Sequence, residues 1–293
     1  MLAELCRNEF AQARASASRL VSSAARLADE ALRIEARYLQ GVSAFWAADL
    51  HAAREHLSYV VEHFQPGRRA EHLLRFGQDP SVVCRSRLAN TLWFLGRTEV
   101  ARTTRDAALA RTRDPLHPYS SAVVLIFALV LSADMEDHDV FVELVERAMA
   151  LDREPSVVLD IKFSAMQGYA DAIEGRGALG IYRIRAAVDA TGPANPAPGY
   201  RSTLLRLLVG ACALAGDVDA GLAACHEALR EPGTRLWEPE IRRLRAEFLD
   251  ANGAPPHEVA AELDCAAAVA RSRRALGPLR RIERSQAALQ VVG

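Results

Sequence analysis

The sequence predicts an all-α fold in which antiparallel helix pairs stack into a right-handed superhelical solenoid. Two observations predict it. Short turn sequences recur along the chain, and the segment after each carries small or apolar residues at i, i+4 and i+7, the spacing of one helical face. Composition sets the bounds: 293 residues, 50% hydrophobic and 25% charged, with 36 Lys+Arg against 37 Asp+Glu. A net charge of -1 disfavours sequence-independent nucleic-acid binding, which draws on a basic excess.

The elements follow in chain order. The turns are Ala48-Asp49-Leu50, Gly96-Arg97-Thr98, Gly175-Arg176-Gly177, Gly216-Asp217-Val218 and Asn252-Gly253. The second-helix faces after them are Ala53, Leu57 and Val60; Ala101, Arg105 and Ala108; Gly180, Ile184 and Ala187; Gly221, Cys225 and Ala228; Ala261, Cys265 and Ala268. Arg105 is the only charged member. First helices carry a small or apolar anchor, at Gly41, Ala89, Gly168, Val209 and Ala246, and four of these anchors recur 12 residues later at Ala53, Ala101, Gly180 and Gly221. Small residues suit a place where two helices joined by a short turn approach closely. The interval of 79 residues between Ala89 and Gly168 hides a further unit, Ser120 to Leu151, whose second helix puts Phe141, Val145 and Ala148 on one face after Glu136-Asp137-His138-Asp139. Asp79-Pro80, Glu154-Pro155 and Glu238-Pro239 place an acidic residue before a proline at a helix start. Thr191 to Gly199 is a Pro/Gly-rich loop.

Units are expected at roughly 1–28 (partial), 29–66, 79–114, 118–152, 155–190, 199–232, 238–271 and 275–293 (partial), forming one repeat domain. The pattern resembles a degenerate tetratricopeptide repeat, whose first helix carries Leu-Gly and whose second carries Ala-x3-Phe before a proline. Two stretches go further. Leu74-Arg75-Phe76-Gly77-Gln78-Asp79-Pro80 followed by Leu92-Trp93-Phe94-Leu95-Gly96, and Trp237-Glu238-Pro239-Glu240-Ile241-Arg242-Arg243-Leu244, resemble the helical C-terminal region of large bacterial proteins. Those proteins join a nucleotide cyclase or a DNA-binding regulatory domain to a STAND-type ATPase and then to tetratricopeptide repeats. The resemblance implies a sensor or regulatory arm. Its catalytic residues have no counterparts here: there is no Walker A sequence, and both ends look cut within a repeat.

Other chemistries find little support. Lys162 is the only lysine, and its setting suits neither a P-loop nor a Schiff base. Charges interrupt the N-terminus where a secretory signal would need an apolar region. The apolar run Ala122 to Leu131 is short of the roughly 20 residues that cross a bilayer, so a buried helix and a cytoplasmic protein without membrane contact are expected. Cys6, Cys84, Cys212, Cys225 and Cys265 form no C-x2-C pair, which argues against a zinc or disulfide framework; Cys225 and Cys265 fall in the inward register. Gly175-x-Gly177-x-x-Gly180 satisfies the dinucleotide fingerprint only formally, because a helix precedes it instead of a strand. His56 and His63, seven apart, lack the spacing and third ligand of a metal site, and Asp137-His138-Asp139 reads as a polar turn. Arg271, Arg273, Arg274, Arg280, Arg281 and Arg284 make a basic segment best explained as a solvated face.

The expected function is therefore binding of a protein or peptide, without catalysis, cofactor or metal. Its surface is expected on the concave face, where first-helix positions form a stripe: Tyr38, Phe45, Asn90, Trp93, Tyr169, Arg206, Arg243 and Glu247. The stripe runs from aromatic to charged, as a peptide with apolar and acidic parts would require. The other reading has Phe45, Trp93 and Tyr169 packing between repeats. Self-association through the unpaired terminal helices, and a regulatory fragment whose cyclase, ATPase or DNA-binding domain acts in trans, are the further expectations.

Overall fold

The computed structural model describes residues 9–113, 117–151, 156–191, 200–231 and 235–292. Among them the chain is all-helical, with 15 α-helices and no strand. Contacts divide it into two units, Met1–Trp93 with Arg97–Ser156, and Phe94–Gly96 with Val157–Gly293.

The first unit holds α1 (Phe10–Leu27), α2 (Glu30–Trp46), α3 (Leu50–His63), α4 (Arg69–Phe76), most of α5 (Pro80–Phe94), α6 (Thr98–Ala110), α7 (Pro118–Met135) and α8 (His138–Met149). The second holds α9 (Val157–Ile173), α10 (Gly177–Asp189), α11 (Tyr200–Ala215), α12 (Val218–Arg230), α13 (Glu238–Ala251), α14 (Pro256–Ser272) and α15 (Leu276–Val292). In the second unit each helix packs chiefly on the next and each odd-numbered helix also on the odd one after it: α9 with α10 and α11, α11 with α12 and α13, α13 with α14 and α15.

One turn geometry joins nearly every pair. A residue with positive φ ends the helix, one or two residues follow, and the next helix begins. Gly96, Gly175, Gly216 and Gly253 take this position, but so do Ala28, Ala48, Glu136 and Arg274. The amide after it bonds the carbonyl five residues back: Asp49 N–H to Ala44 at 2.9 Å, Asp137 to Ser132 at 2.9 Å, Arg176 to Asp171 at 2.8 Å, Asp217 to Cys212 at 3.0 Å. That is the Schellman closure, which satisfies carbonyls a helix end leaves open. The residue after the turn often starts the next helix with its side chain, as Asp29 accepts from Leu32 N–H at 2.9 Å and Asp217 from Ala220 N–H at 3.1 Å.

The predicted inner faces bury as the helical spacing requires in four of the five units and in the further unit Ser120 to Leu151: Ala53, Leu57, Ala101, Ile184 and Cys225 are essentially inaccessible, as are Phe141 and Ala148. The small anchors have their expected cause. A Cβ on Gly180 would lie 2.3 Å from the Gly168 carbonyl, and one on Gly168 would lie 2.8 Å from that of Gly180. α9 and α10 thus cross backbone to backbone, closer than any side chain allows. Arg105 is buried because its Nη1 donates to Asp137 Oδ2 at 3.1 Å and to Ser132 Oγ at 3.2 Å, so Asp137, read as a polar turn residue, is an internal counter-ion.

Three expectations need correction. Ala261, Cys265 and Ala268 are exposed, and α14 instead buries Val259, Leu263, Ala266 and Ala270. Pro255 and Pro256 lengthen that turn, so the inward row moves. Glu238-Pro239 begins α13 one residue early, with Trp237 at the cap, whereas Asp79 does cap α5, its Oδ1 accepting from Ser81 N–H at 3.0 Å. And a helix not foreseen, α4, lies between the first two hairpins, fixed by His72 Nδ1 against Glu35 Oε1 at 2.9 Å and by Arg75 on Asp29 at 2.7 Å. Glu154-Pro155, Cys6 and nearly all of the Thr191 to Gly199 loop lie outside the described residues. The run Ala122–Leu131 is buried on all sides of α7, the one described helix long and apolar enough to cross a membrane by length and composition.

Candidate functional site

The inner stripe of the first unit converges on Phe127. Phe45 meets its ring edge-on at 6.0 Å between centroids, and Asn90 Nδ2 donates to its carbonyl at 2.9 Å and to that of Ser86 at 3.0 Å. Arg87, one position from the predicted row and missed by it, lays its guanidinium 4.2 Å from the Phe127 centroid and 5.8 Å from that of Tyr38. Burial raises the Tyr38 phenol to about 12, against the pull of Arg87. The charged character of Arg87 hid it in the sequence; its stacking between two aromatic faces lets the guanidinium enter the core.

In the second unit the stripe is polar. Gly210 leaves room for Arg206 and Tyr169: a Cβ there would stand 2.8 Å from Arg206 Nη1 and 2.9 Å from the Tyr169 ring. Arg243 holds Glu240 with two bonds, Nη2 to Oε1 at 2.7 Å and Nε to Oε2 at 3.0 Å, and Nη1 bonds Glu247. Arg281 closes on Glu240 at 3.4 Å. Burial pushes the Arg243 guanidinium down, but Glu240 and Glu247 outweigh it and hold it above its ordinary value. Arg273 likewise pairs with Glu238 at 2.5 Å, so part of the basic C-terminal segment is structural; Arg271, Arg274 and Arg284 are exposed.

The aromatic-to-charged order of the stripe is thus present, but its accessibility differs from the expectation. Tyr38, Phe45, Asn90, Trp93, Tyr169, Arg206 and Arg243 are buried, none more than 7% exposed, and only Glu247 faces solvent. The physical reason is that adjacent first helices pack on each other through this row, which fills the seam between hairpins.

A cleft of about 890 Å³ opens on another face of the first unit. α3 supplies His51, Arg54, Glu55, His56, Tyr59 and Glu62; Leu88 and Leu92 of α5 and Val100 of α6 add apolar surface; Arg37 and Arg97 complete it. Arg37 Nη1 lies 3.2 Å from His56 Nδ1, and its guanidinium stacks 5.1 Å from the Tyr59 centroid. Burial, then Arg37, lowers the His56 pKa from its ordinary value. His63 does not join it, stacking instead on Tyr59 at 4.1 Å. Among the described residues no group of three His, Cys, Asp or Glu could hold a metal.

Cys84, Cys212 and Cys225 are buried. Burial raises Cys84, and raises Cys212 and Cys225 to about 12, the reverse of what a reactive thiolate needs. Gly175 takes φ +82° in the turn between α9 and α10, a helix-to-helix connection, not a strand-to-helix one.

No family model matches the chain. It is similar, at 26% identity over 267 residues, to an uncharacterized protein of Rhizobium meliloti (strain 1021). The similarity covers 87% of this chain and 26% of that protein, so the chain spans about a quarter of its relative's length.

Proposed function

We propose that this chain is a tetratricopeptide-like, right-handed superhelical scaffold of a bacterial signalling protein that binds another protein or peptide in the cytoplasm and performs no chemistry itself. The observation that supports it is the packing order of the second unit, where helices meet only near neighbours in sequence among the principal contacts. Repeats stacked in that way align their first helices in a row, the usual place for an extended segment to lie, although here most of that row is closed by packing. In the second unit recognition falls to the exposed Glu247, and in the first, separately, to the buried Asn90, whose Oδ1 has no partner among the described residues, once the seam opens around a ligand.

A second reading is favoured by the share of the relative that is matched. The chain acts as the regulatory repeat arm of a longer protein, a nucleotide cyclase or ATP-dependent transcriptional regulator, whose other domains supply catalysis or DNA binding. Both readings meet one experiment: selection of a random peptide display library on the whole chain, followed by affinity measurement with Asn90→Ala and Glu247→Lys variants of unchanged helicity. Enriched peptides that lose fivefold or more in affinity to either variant support the inner face. Failure to enrich, or affinities that neither variant moves, counts against it.

A further inference from the structure

We infer that the cleft lined by α3, α5 and α6 binds a small organic anion, a carboxylate or phosphate ester on an apolar body. The inference is independent of the peptide-binding reading, since a different face carries it.

Several arginines of unit one are compensated by carboxylates, Arg69 by Asp79, Arg75 by Asp29 and Glu71, Arg102 and Arg105 by Asp137, and the buried Arg87 is stacked on aromatic rings instead. Three others stand together in the cleft. Among the described residues Arg37, Arg54 and Arg97 have no carboxylate within 4.0 Å, although Glu55 and Glu62 line the same cleft. Arg37 is held by neutral groups alone, Gln40 Oε1 at 3.3 Å, His56 Nδ1 and the Tyr59 face. A guanidinium held in place with no carboxylate bonded to it is prepared for a planar oxyanion, which its fork can grip with two bonds. The apolar surface of Leu88, Leu92 and Val100 suits the remainder of such a molecule, and about 890 Å³ lies within the range of small-ligand sites, roughly 300–1,000 Å³.

The test is calorimetric titration of the whole chain with phenyl phosphate, benzoate and, as the neutral counterpart, benzyl alcohol, repeated with the variant Arg54→Gln/Arg97→Gln. Neither residue is a core group, so this variant keeps its helicity by circular dichroism. Saturable one-to-one binding of an anion, with benzyl alcohol inert and about tenfold weaker binding in the variant, is expected from the loss of charge-assisted contacts. Binding of phenyl phosphate alone assigns the site to phosphate esters, of benzoate alone to carboxylates, and of both to oxyanions generally. Absence of saturable binding, equal binding of benzyl alcohol, or an affinity unchanged in the variant overturns the proposal.

Discussion

Arg105 shows how one side chain can be misjudged by character and correctly placed by spacing. Its position in the i, i+4, i+7 row put it inside, and Asp137 makes that tolerable. The pair is asymmetric. Asp137 also receives Arg102 Nη1 at 2.6 Å, so removing Arg105 leaves no buried charge alone, whereas removing Asp137 leaves a buried guanidinium with only the exposed Asp106, which its Nε reaches at 3.0 Å. Asp137→Ala should therefore cost about 3 kcal/mol and Arg105→Met clearly less, measured by urea unfolding; the reverse order would refute the account. Asp29 gives a pH test. The bond from Arg75, then that from Leu32 N–H, lowers its carboxyl from 3.8 to about 2. Its folded value is depressed, so its contribution is complete above the unfolded pKa and disappears as pH falls through about 2. Asp29→Asn should flatten the fall of melting temperature between about pH 4 and 2 while leaving other acid-sensitive pairs in place.

At the scale of elements, the turns were the most legible feature and the faces nearly so. Gly96, Gly175 and Gly216 announced themselves because a positive φ suits a residue without Cβ. Ala28 and Arg274 did not, since nothing in their chemistry signals the same backbone, and Ala48 and Glu136 were located only by the helices around them. α4 stayed hidden because its eight residues span barely two turns and its fixing partners, Glu35 and Asp29, lie far off in sequence. The last hairpin departs from the common turn length because Pro255 and Pro256 extend it, which moves the inward row to Val259, Leu263, Ala266 and Ala270. The shared turn makes a matched prediction. Gly216→Ala meets no atom within 4 Å yet must hold φ near +67°, and should lose about 1 kcal/mol; Arg274→Gly should gain a comparable amount, because the strained backbone of Arg274 at φ 55° is relieved. Thermal melts of the two variants moving in the same direction would contradict this.

For the molecule as a whole, local stacking implies that damage stays local. Gly180→Ala drives a methyl into the Gly168 carbonyl, a clash worth about 2 kcal/mol, whereas Gly67, with nothing within 4 Å, should accept alanine freely. Hydrogen exchange in the Gly180→Ala protein should accelerate in α9, α10 and α11 and remain unchanged in α2 and α3; uniform acceleration along the chain would mean one cooperative block. The candidate site was the least legible level. Spacing located the stripe but could not tell an open groove from a filled seam, and His51, Tyr59, Arg97 and Arg37 come from three segments that only folding assembles. α7 carries a last consequence. Nearly every residue from Ser120 to Asp134 is covered, and the coverings include α6 before it and α8 after it. On the ribosome this stretch emerges before α8 exists, oily on every side, and resembles cargo for the export machinery more than a piece of a repeat. Shortened genes that end soon after Met135 should therefore yield inclusion bodies, and expression trials would do well to place their stops beyond α8.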